Sequence, residues 1–246
     1  MPQSPVSKRP AIIAHRGGRD WAPENTLAAF RKSIEAGVDG VDFDVHRCST
    51  GELVVIHDDD LNRTTNGVGL VKDSSLPELQ RLSAGLWFDK AFREERVPLL
   101  TEVLDLFPDQ MVIDIELKNA PIGYDGIEED LLATIEPYRD RLNMLVSSFD
   151  HHCLRRLREL DSDIKIGVLA AAGLVDIAEY AAKFNASYFI QDYDCLLPAA
   201  VHEAQEAGLN VVVWTVNDKE RWRHLIEMGV DGICTDTPAS LDEFLK

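Results

Sequence analysis

The sequence predicts an α/β fold, a single (β/α)8 TIM barrel, on the basis of length and pattern. The chain has 246 residues, which matches the roughly 250 residues typical of an eight-stranded α/β barrel. Short β-branched or apolar runs alternate with longer segments of helical periodicity from residue 11 to the C-terminus, which indicates parallel strands wrapped by helices. An open doubly wound sheet has the same alternation, but no GxGxxG motif follows the first strand, and this disfavours a nucleotide-binding sheet.

Eight runs are the candidate barrel strands. They are residues 11–15, 40–45, 111–117, 144–147, 165–169, 187–190, 210–215 and 231–235. Between them, apolar residues recur at helical spacing, as in Leu157 and Leu160, and these stripes should cover the outer face of the barrel. The first helix should begin at Asn25 and Thr26, which can cap it, and should end at Gly37.

A ninth strand-like run, residues 53–57, follows the second strand after a very short linker. This linker cannot hold the crossover that a parallel neighbour requires, so the run should fold back as an antiparallel β-hairpin. If the turn centres on Thr50 and Gly51, the pairing places His57 opposite Asp44. The hairpin would then deliver an imidazole beside a carboxylate at the C-terminal end of the second strand.

Residues 58–97 interrupt the alternation a second time. They contain three Gly residues, one Pro residue and an apolar cluster at residues 86–88. We expect a small insertion with one short helix over the catalytic face, because long insertions of this kind are more often functional than idle. The whole chain, residues 1–246, is then one barrel domain with a flexible tail at residues 1–10.

Composition and charge limit the partners and the location of the chain. Apolar residues make up 45% and charged residues 28%, which is ordinary for a globular domain. The net charge of −18 disfavours nucleic acid and anionic membranes as partners and favours a small molecule bound in a locally basic pocket. The four cysteines form no CxxC pair, which fits the reducing cytoplasm. No apolar run is long enough for a secretion signal or a membrane span, so we expect neither.

Two histidines stand at strand ends, where parallel barrels carry their reacting groups. His15 opens a His-Arg-Gly-Gly turn after the first strand, and His57 ends the hairpin beside acidic residues. A lone histidine is more often a core or surface residue than a catalyst, but these settings favour catalysis for both. Five further histidines lack such a setting and are weaker candidates: His46, His151, His152, His202 and His224.

Carboxylates recur on two of the predicted strands. Asp42 and Asp44 are two residues apart, as are Asp114 and Glu116, so each pair shares one strand face and should point into the barrel. Crowded carboxylates repel one another unless they are protonated or share a cation. Oxygen ligands without cysteine favour a hard ion, Mg²⁺ or Ca²⁺ with Mn²⁺ as a further option. Each pair could instead form salt bridges or a solvated edge, but two converging pairs favour the ion.

Arg16 and Lys118 supply positive charge beside these acidic residues. A guanidinium fork and an ammonium group suit a phosphoryl group whose charge a metal ion has partly neutralised. The alternative is that they only neutralise the carboxylates. The two roles do not exclude each other.

At these residues the sequence resembles the glycerophosphodiester phosphodiesterase family, in its bacterial cytosolic type. The matching stretches occur in order from residue 11 to residue 240, which is far more specific than any single motif. They are His15-Arg16-Gly17-Gly18, Pro23-Glu24-Asn25-Thr26, Val54-Val55-Ile56-His57-Asp58, Arg63-Thr64-Thr65, Ile115-Glu116-Leu117-Lys118, Ser148-Phe149, Trp214-Thr215-Val216-Asn217, Gly229-Val230-Asp231-Gly232, and Thr235-Asp236 with Pro238.

The resemblance implies a barrel enzyme that uses one divalent metal ion to hydrolyse glycerophosphodiesters to glycerol 3-phosphate and an alcohol. By position, the implied acid/base pair is His15 and His57, the metal ligands are Asp42, Asp44 and Glu116, the phosphate contacts are Arg16 and Lys118, and a wall of the glycerol pocket is Trp214. Core packing is the alternative role for the tryptophan.

Three positions depart from the pattern of that family. Asp42 stands where the family usually has Glu, and its side chain stops about one methylene short of the usual metal position. The ion would then shift, take a water bridge or differ in identity. The hairpin turn reads Cys48-Ser49-Thr50-Gly51 rather than the usual Thr-x-Asp-Gly. Asp114 stands where Asn is common and adds negative charge.

Three other functions fit parts of the sequence. A lysophospholipase D-type phosphodiesterase would need an apolar groove for an acyl chain, which residues 86–88 and Phe92 could line. A non-catalytic barrel that binds a phosphorylated ligand has no need of two histidines beside a metal. A sugar-phosphate isomerase or aldolase would use Lys118 as a Schiff-base amine, but its acidic neighbours should keep it protonated. Head-group preference, the identity of the ion, the nucleophile and the oligomeric state are left open by the sequence.

Overall fold

A closed barrel of eight parallel strands forms the centre of the protein, in a computed structural model that describes residues 9–246. The strands are β1 (Ala11–Ala14), β2 (Gly40–Arg47), β3 (Leu53–Val55), β4 (Val112–Leu117), β5 (Asn143–Ser148), β6 (Lys165–Ala170), β7 (Tyr188–Asp192), β8 (Asn210–Trp214) and β9 (Gly232–Thr235). All but β3 belong to the barrel, and the pairing of β1 with both β2 and β9 closes it. The predicted (β/α)8 barrel is confirmed, with each predicted strand present.

Helices follow the barrel strands and surround them. They are α1 (Leu27–Ala36), α2 (Leu76–Leu79), α3 (Leu100–Leu106), α4 (Ile127–Ile135), α5 (His151–Leu160), α6 (Ile177–Ala182), α7 (Pro198–Glu206), α8 (Lys219–Met228) and α9 (Pro238–Leu245). Helix α2 is the exception because it lies in the insertion between β3 and α3. Within residues 9–246, no helix combines the length and the apolar character that crossing a membrane requires.

Helix α1 begins and ends where the sequence predicts. The Thr26 hydroxyl accepts a hydrogen bond from the Ala29 backbone N–H at 3.3 Å, so it satisfies one of the free donors of the first turn. Gly37 ends the helix with φ of 69°, a left-handed conformation that glycine adopts without a steric penalty. Capping at both ends therefore fixes the helix that follows the first strand.

The core lies between the barrel strands and the helices, and it contains Leu104 of α3, which is fully buried. The apolar stripe of α5 is only partly buried. Leu157 is fully buried, but Leu160 is 49% exposed because it is the last residue of the helix. The prediction that Leu160 covers the barrel is therefore wrong.

These two exposures predict different stability losses for the same substitution. Leu104→Ala should lower the free energy of unfolding by about 2–5 kcal/mol, because it removes buried surface and leaves a cavity. Leu160→Ala should change it by no more than about 0.5 kcal/mol. Denaturant unfolding of both variants measures the difference, and similar losses for the two would contradict this account of the core.

The hairpin is antiparallel as predicted, but its register differs by one residue. Val45 pairs with Val55, and the Ile56 backbone N–H donates to the Asp44 carbonyl at 3.0 Å. The predicted pairing of His57 with Asp44 is therefore wrong. The reason is the turn, which has three residues rather than two because Gly51 adopts φ of 102° and closes a longer loop.

The insertion, residues 58–97, packs against the hairpin. Leu61, Val71, Leu79 and Val97 form an apolar cluster with Val54 and Ile56. Of the predicted flexible tail, residues 1–8 lie outside the described residues. Arg9 instead contacts Asp39, with 2.7 Å between Nη1 and Oδ2, and Pro10 is buried.

Candidate active site

All of the predicted site residues except Asp44 line one cavity at the C-terminal end of the barrel strands. Charged side chains come mainly from β1, β2, β4 and the hairpin, and apolar ones come from β5 to β8. The lining residues are Ile13, His15, Arg16, Asp42, His57, Asp114, Glu116, Lys118, Ser147, Phe149, Leu169, Ile190, Val212, Trp214 and Cys234. Asp44 is not among them, because it lies behind Lys118 with a side chain only 1% exposed.

The turn after β1 places His15 and Arg16 at the cavity. Arg16 has φ of 51° and Gly17 has φ of 82°. A side chain at Gly17 would also bring its Cβ within 2.8 Å of the Ala29 Cβ in α1, which is closer than real contacts allow. The glycine therefore lets the turn pack against α1 and directs the two preceding side chains into the site.

His15 is oriented by a carboxylate from the opposite end of the chain. Its Nδ1 lies 2.6 Å from Asp236 Oδ1, in the loop after β9. Burial would raise the Asp236 pKa, but the hydrogen bond from His15 and the charges of His15 and Arg19 lower it to about 2. Because an ionised carboxylate only accepts, the Nδ1 carries the proton and Nε2 is left for proton exchange.

His57 is oriented in the same way by its neighbour in sequence. Its Nδ1 lies 2.6 Å from Asp58 Oδ1, and Arg63 Nε donates to Asp58 Oδ2 at 2.7 Å. Behind it, His46 Nε2 donates to the His57 carbonyl at 3.0 Å. Burial lowers the His57 pKa, and the Lys118 and Arg16 charges lower it further, against the attraction of Asp44. Both imidazoles therefore present Nε2 as their free nitrogen.

The carboxylates of β2 and β4 face one another across neighbouring strands. Asp42 is the register partner of Asp114, and Asp44 is that of Glu116, so the two predicted pairs do converge. Lys118 Nζ lies 2.9 Å from Asp44 Oδ1 and also contacts Glu116 Oε1. Burial and the nearby Asp44 charge raise the Glu116 pKa to about 7, although Lys118 opposes this.

The carboxylate oxygens of β2 and β4 are ligands of the chemical type that a divalent cation prefers. Among residues 9–246, no three His, Cys, Asp or Glu side chains are already grouped as ligands around one point. Burial, followed by the Asp44 charge, nevertheless raises the Asp42 pKa. Asp44 Oδ1 is paired with Lys118, but Asn25 Oδ1 is a buried oxygen without a hydrogen bond. A shared hard cation would neutralise crowded carboxylates of this kind and use such oxygens.

Asp114 and Trp214 have defined surroundings in the cavity. Asp114 accepts a hydrogen bond from the Ser147 hydroxyl at 2.7 Å, and burial, together with the Asp42 charge, raises its pKa well above the usual range. The Trp214 ring packs edge-on against Phe149 with 5.6 Å between the ring centroids. Trp214 therefore forms a wall of the cavity together with Phe149, which is 44% exposed.

Five polar residues that hold the site together were not assigned a role in the site from the sequence. Asp58, Arg63 and Asp236 orient the two imidazoles, while Asn25 Nδ2 donates to Asp44 Oδ2 at 2.8 Å. Glu24 is buried and contacts Arg16, Arg19 and Arg63. The five lie in the stretches that carry the family resemblance, which is the signal that could have found them.

The contacts bear on two of the other functions. Burial would lower the Lys118 pKa, but Asp44 and Glu116 outweigh it and raise the pKa, so the amine is protonated and unsuited to Schiff-base formation. The apolar residues 86–88 and Phe92 are absent from the lining of the cavity within the described part of the chain. The residues that could have lined an acyl groove are therefore not part of the wall around the two histidines.

Comparisons of the sequence with known proteins identify its family. Residues 15–240 match the model of the glycerophosphoryl diester phosphodiesterase family. A glycerophosphodiester phosphodiesterase of Caldanaerobacter subterraneus subsp. tengcongensis is 41% identical over 236 residues, with 96% of this chain and 97% of that protein covered. A putative glycerophosphodiester phosphodiesterase of Bacillus subtilis is 39% identical, with 92% and 94% covered.

Solved structures agree as well. An Oleispira antarctica phosphodiesterase in complex with the product sn-glycerol-3-phosphate superimposes with a TM-score of 0.87 at 29% identity, with 96% of each chain covered. A putative glycerophosphoryl diester phosphodiesterase from Silicibacter pomeroyi gives a TM-score of 0.87 at 29% identity, with 96% of this chain and 92% of that one covered. The barrel, the paired histidines and the matches along nearly the whole chain lead to one conclusion: this chain belongs to the glycerophosphoryl diester phosphodiesterase family of enzymes.

Proposed function

We propose that the protein hydrolyses glycerophosphodiesters to glycerol 3-phosphate and an alcohol, with His15 and His57 as the acid/base pair and a divalent cation in the site. The observation that carries the proposal is the arrangement of the two imidazoles. Each gives its Nδ1–H to a carboxylate at 2.6 Å, and both line a cavity that also contains Arg16 and Lys118. The product complex of the Oleispira antarctica relative supports the choice of substrate.

In this mechanism the two histidines divide the proton transfers. One imidazole accepts the proton of the attacking hydroxyl at Nε2, and the other donates a proton from Nε2 to the leaving alkoxide. The carboxylates on Nδ1 fix the tautomer and orientation of each ring. Two nucleophiles fit this scheme, a water molecule or the 2-hydroxyl of the substrate glycerol, and the second would give a cyclic phosphate first. A substrate without the 2-hydroxyl distinguishes the two routes.

Arg16 and Lys118 bind and orient the phosphoryl group. The Arg16 Nε lies 3.4 Å from Asp44 Oδ2, and the side chain lines the cavity, where its remaining donors can bind a phosphate oxygen. Its Nη1 donates to Glu24 Oε1 at 2.7 Å, and the contacts with Glu24 and Asp44 together fix the plane of the guanidinium. Preorganised donors of this kind stabilise the charge that develops in the transition state.

Asp42, Asp44 and Glu116 would hold the cation, Mg²⁺ or Ca²⁺ with Mn²⁺ as a further option. When bound, the ion would supply positive charge that stabilises the negative charge of the phosphoryl group. Asp42 and Glu116 line the cavity, and burial raises the pKa of each. Asp44 is the register partner of Glu116, and the charges of Lys118 and Arg16 overcome its burial and lower its pKa. Lys118, which contacts two of the three carboxylates, keeps them in place and can turn to the phosphate.

The test is release of glycerol 3-phosphate from glycerophosphocholine by the purified protein. The protein is first treated with a chelator, and Mg²⁺, Ca²⁺ and Mn²⁺ are then added back singly. We expect no turnover after chelation and recovery with at least one ion. Full turnover after chelation would refute the metal requirement. No turnover with any ion would refute glycerophosphocholine as a substrate. An acylated lysophospholipid assayed in parallel measures the lysophospholipase D alternative.

We also propose a cytoplasmic location. All four cysteines, Cys48, Cys153, Cys195 and Cys234, are free, which is the state expected in a reducing compartment. Fractionation of the native cells with an antibody against the chain tests this location, and recovery of the protein outside the cytoplasm would contradict it.

A further inference from the structure

Glu24 is a buried carboxylate that binds three arginines. It lies in the loop between β1 and α1, and its side chain is only 1% exposed. Oε1 accepts from Arg16 Nη1 at 2.7 Å and from Arg63 Nη2 at 2.8 Å. Oε2 accepts from Arg63 Nη1 at 2.8 Å and from Arg19 Nε at 3.0 Å. All acceptor positions of the carboxylate are thus in use, and none is left for a substrate.

Two of these arginines also contact the carboxylates that orient the histidines. Arg63 comes from the insertion and binds Asp58, with Nε 2.7 Å from Oδ2. Arg19 comes from the loop after β1 and reaches Asp236, with Nη1 3.4 Å from Oδ1. The third, Arg16, is the residue that faces the phosphate position. Glu24 is therefore connected to each imidazole through two intervening side chains, one arginine and one aspartate.

The charges of this cluster balance. Arg16, Arg19 and Arg63 carry three positive charges, and Glu24, Asp58 and Asp236 carry three negative ones. Asp44, which also contacts Arg16, is offset by the charge of Lys118. Burial opposes ionisation of Glu24, but Arg63 and Arg16 lower its pKa to about 2, so it is ionised at any working pH. A neutral residue at position 24 would leave one excess positive charge among three closely spaced guanidinium groups. These groups would repel one another and move apart.

We infer that Glu24 is a positioning residue that keeps both catalytic histidines correctly oriented through Arg19 and Arg63. Glu24 does not line the cavity, so it acts through other side chains and not on the substrate. The inference rests on the proposed acid/base roles of His15 and His57, and it assigns to the insertion a part in catalysis through Arg63. Loss of Glu24 should therefore impair both histidines at once.

The test compares Glu24→Gln with the wild-type protein and with a matched control, Glu128→Gln. Glu128 is also buried, at 2% exposure, and binds Arg156 at 2.7 Å, but it lies in α4 away from the site. We expect Glu24→Gln to lower kcat by about 10- to 100-fold, the usual effect of removing a supporting partner, with a smaller change in KM. Glu128→Gln should keep the wild-type kcat.

A spectroscopic readout separates positioning from general loss of structure. Protons in Nδ1–H bonds to carboxylates give resolved downfield NMR resonances, which His15→Ala and His57→Ala assign. Arg19→Gln should shift only the His15 resonance, Arg63→Gln only the His57 resonance, and Glu24→Gln both. Should Glu24→Gln not fold, the two arginine variants carry the same test.

Two outcomes would overturn the inference. One is wild-type kcat and unchanged resonances in Glu24→Gln, and the other is a kcat loss of equal size in Glu128→Gln. Failure of the proposed function is a different result, because the wild-type protein would then release no glycerol 3-phosphate. The NMR arm gives an answer in that case too, since it requires no turnover.

Discussion

Replacing His57 or His15 with alanine should lower kcat by about 10²- to 10⁴-fold, the usual contribution of one positioned acid or base. Each ring has one free nitrogen at the cavity, because Nδ1 is bound to Asp58 or Asp236. Within residues 9–246, no third histidine lines this cavity. Initial rates of glycerol 3-phosphate release at saturating substrate measure the effect.

Two controls accompany the histidine variants. His202→Ala removes an imidazole that is 74% exposed on α7, and it should keep the wild-type rate. Thermal unfolding of His15→Ala and His57→Ala should show that both are folded. A folded His15→Ala enzyme with a nearly normal rate would rule out the assigned role of that residue, and the same result for His57→Ala would rule out the pair.

Glu116→Gln should raise the concentration of divalent ion needed for half-maximal activity by at least about 100-fold, since even supporting residues of metal sites contribute 10- to 100-fold. The amide cannot supply the negative charge that a hard cation requires. Because burial already raises the Glu116 pKa to about 7, the neutral form is tolerated in the fold. The variant should therefore remain stable while it loses metal affinity, which an activity titration with each ion measures.

Asp114→Asn is the matched control on the same strand. The Asp114 pKa is raised well above the usual range, chiefly by burial, so an amide resembles the state already present. It can still accept the hydrogen bond from the Ser147 hydroxyl. We expect a wild-type response to the ion. A loss of metal affinity equal to that of Glu116→Gln would show that Asp114 is also a ligand. This result would contradict the assignment of only three metal ligands.

The fold and most of the site were predictable because both depend on local patterns. The hydrophobic periodicity of a strand or a helix depends only on residues that are close in sequence. This local pattern predicted the eight strands and the caps of α1. The two-residue spacing of Asp42 with Asp44 and of Asp114 with Glu116 determined which strand face they share. Strand C-terminal ends converge in any parallel barrel, so polar residues at those ends had to meet.

Register and exposure at element ends were less predictable. A single positive φ at Gly51 lengthened the hairpin turn and moved the pairing by one residue, a choice that depends on how the turn packs. Leu160 follows the helical stripe but is exposed, because the helix ends there. Such outcomes depend on the neighbours of each element and not on the pattern within it.

The sequence by itself therefore determined the barrel and the residue types at its active end, while the tertiary structure alone decided how those residues are held. His15 and Asp236 are separated by 221 positions and meet only because β9 pairs with β1 when the barrel closes. Arg63 reaches Glu24 across 39 positions only because the insertion folds back over the first loop. Local periodicity encodes which face a side chain occupies, but contacts between distant residues follow from closure of the sheet, and these contacts orient both imidazoles.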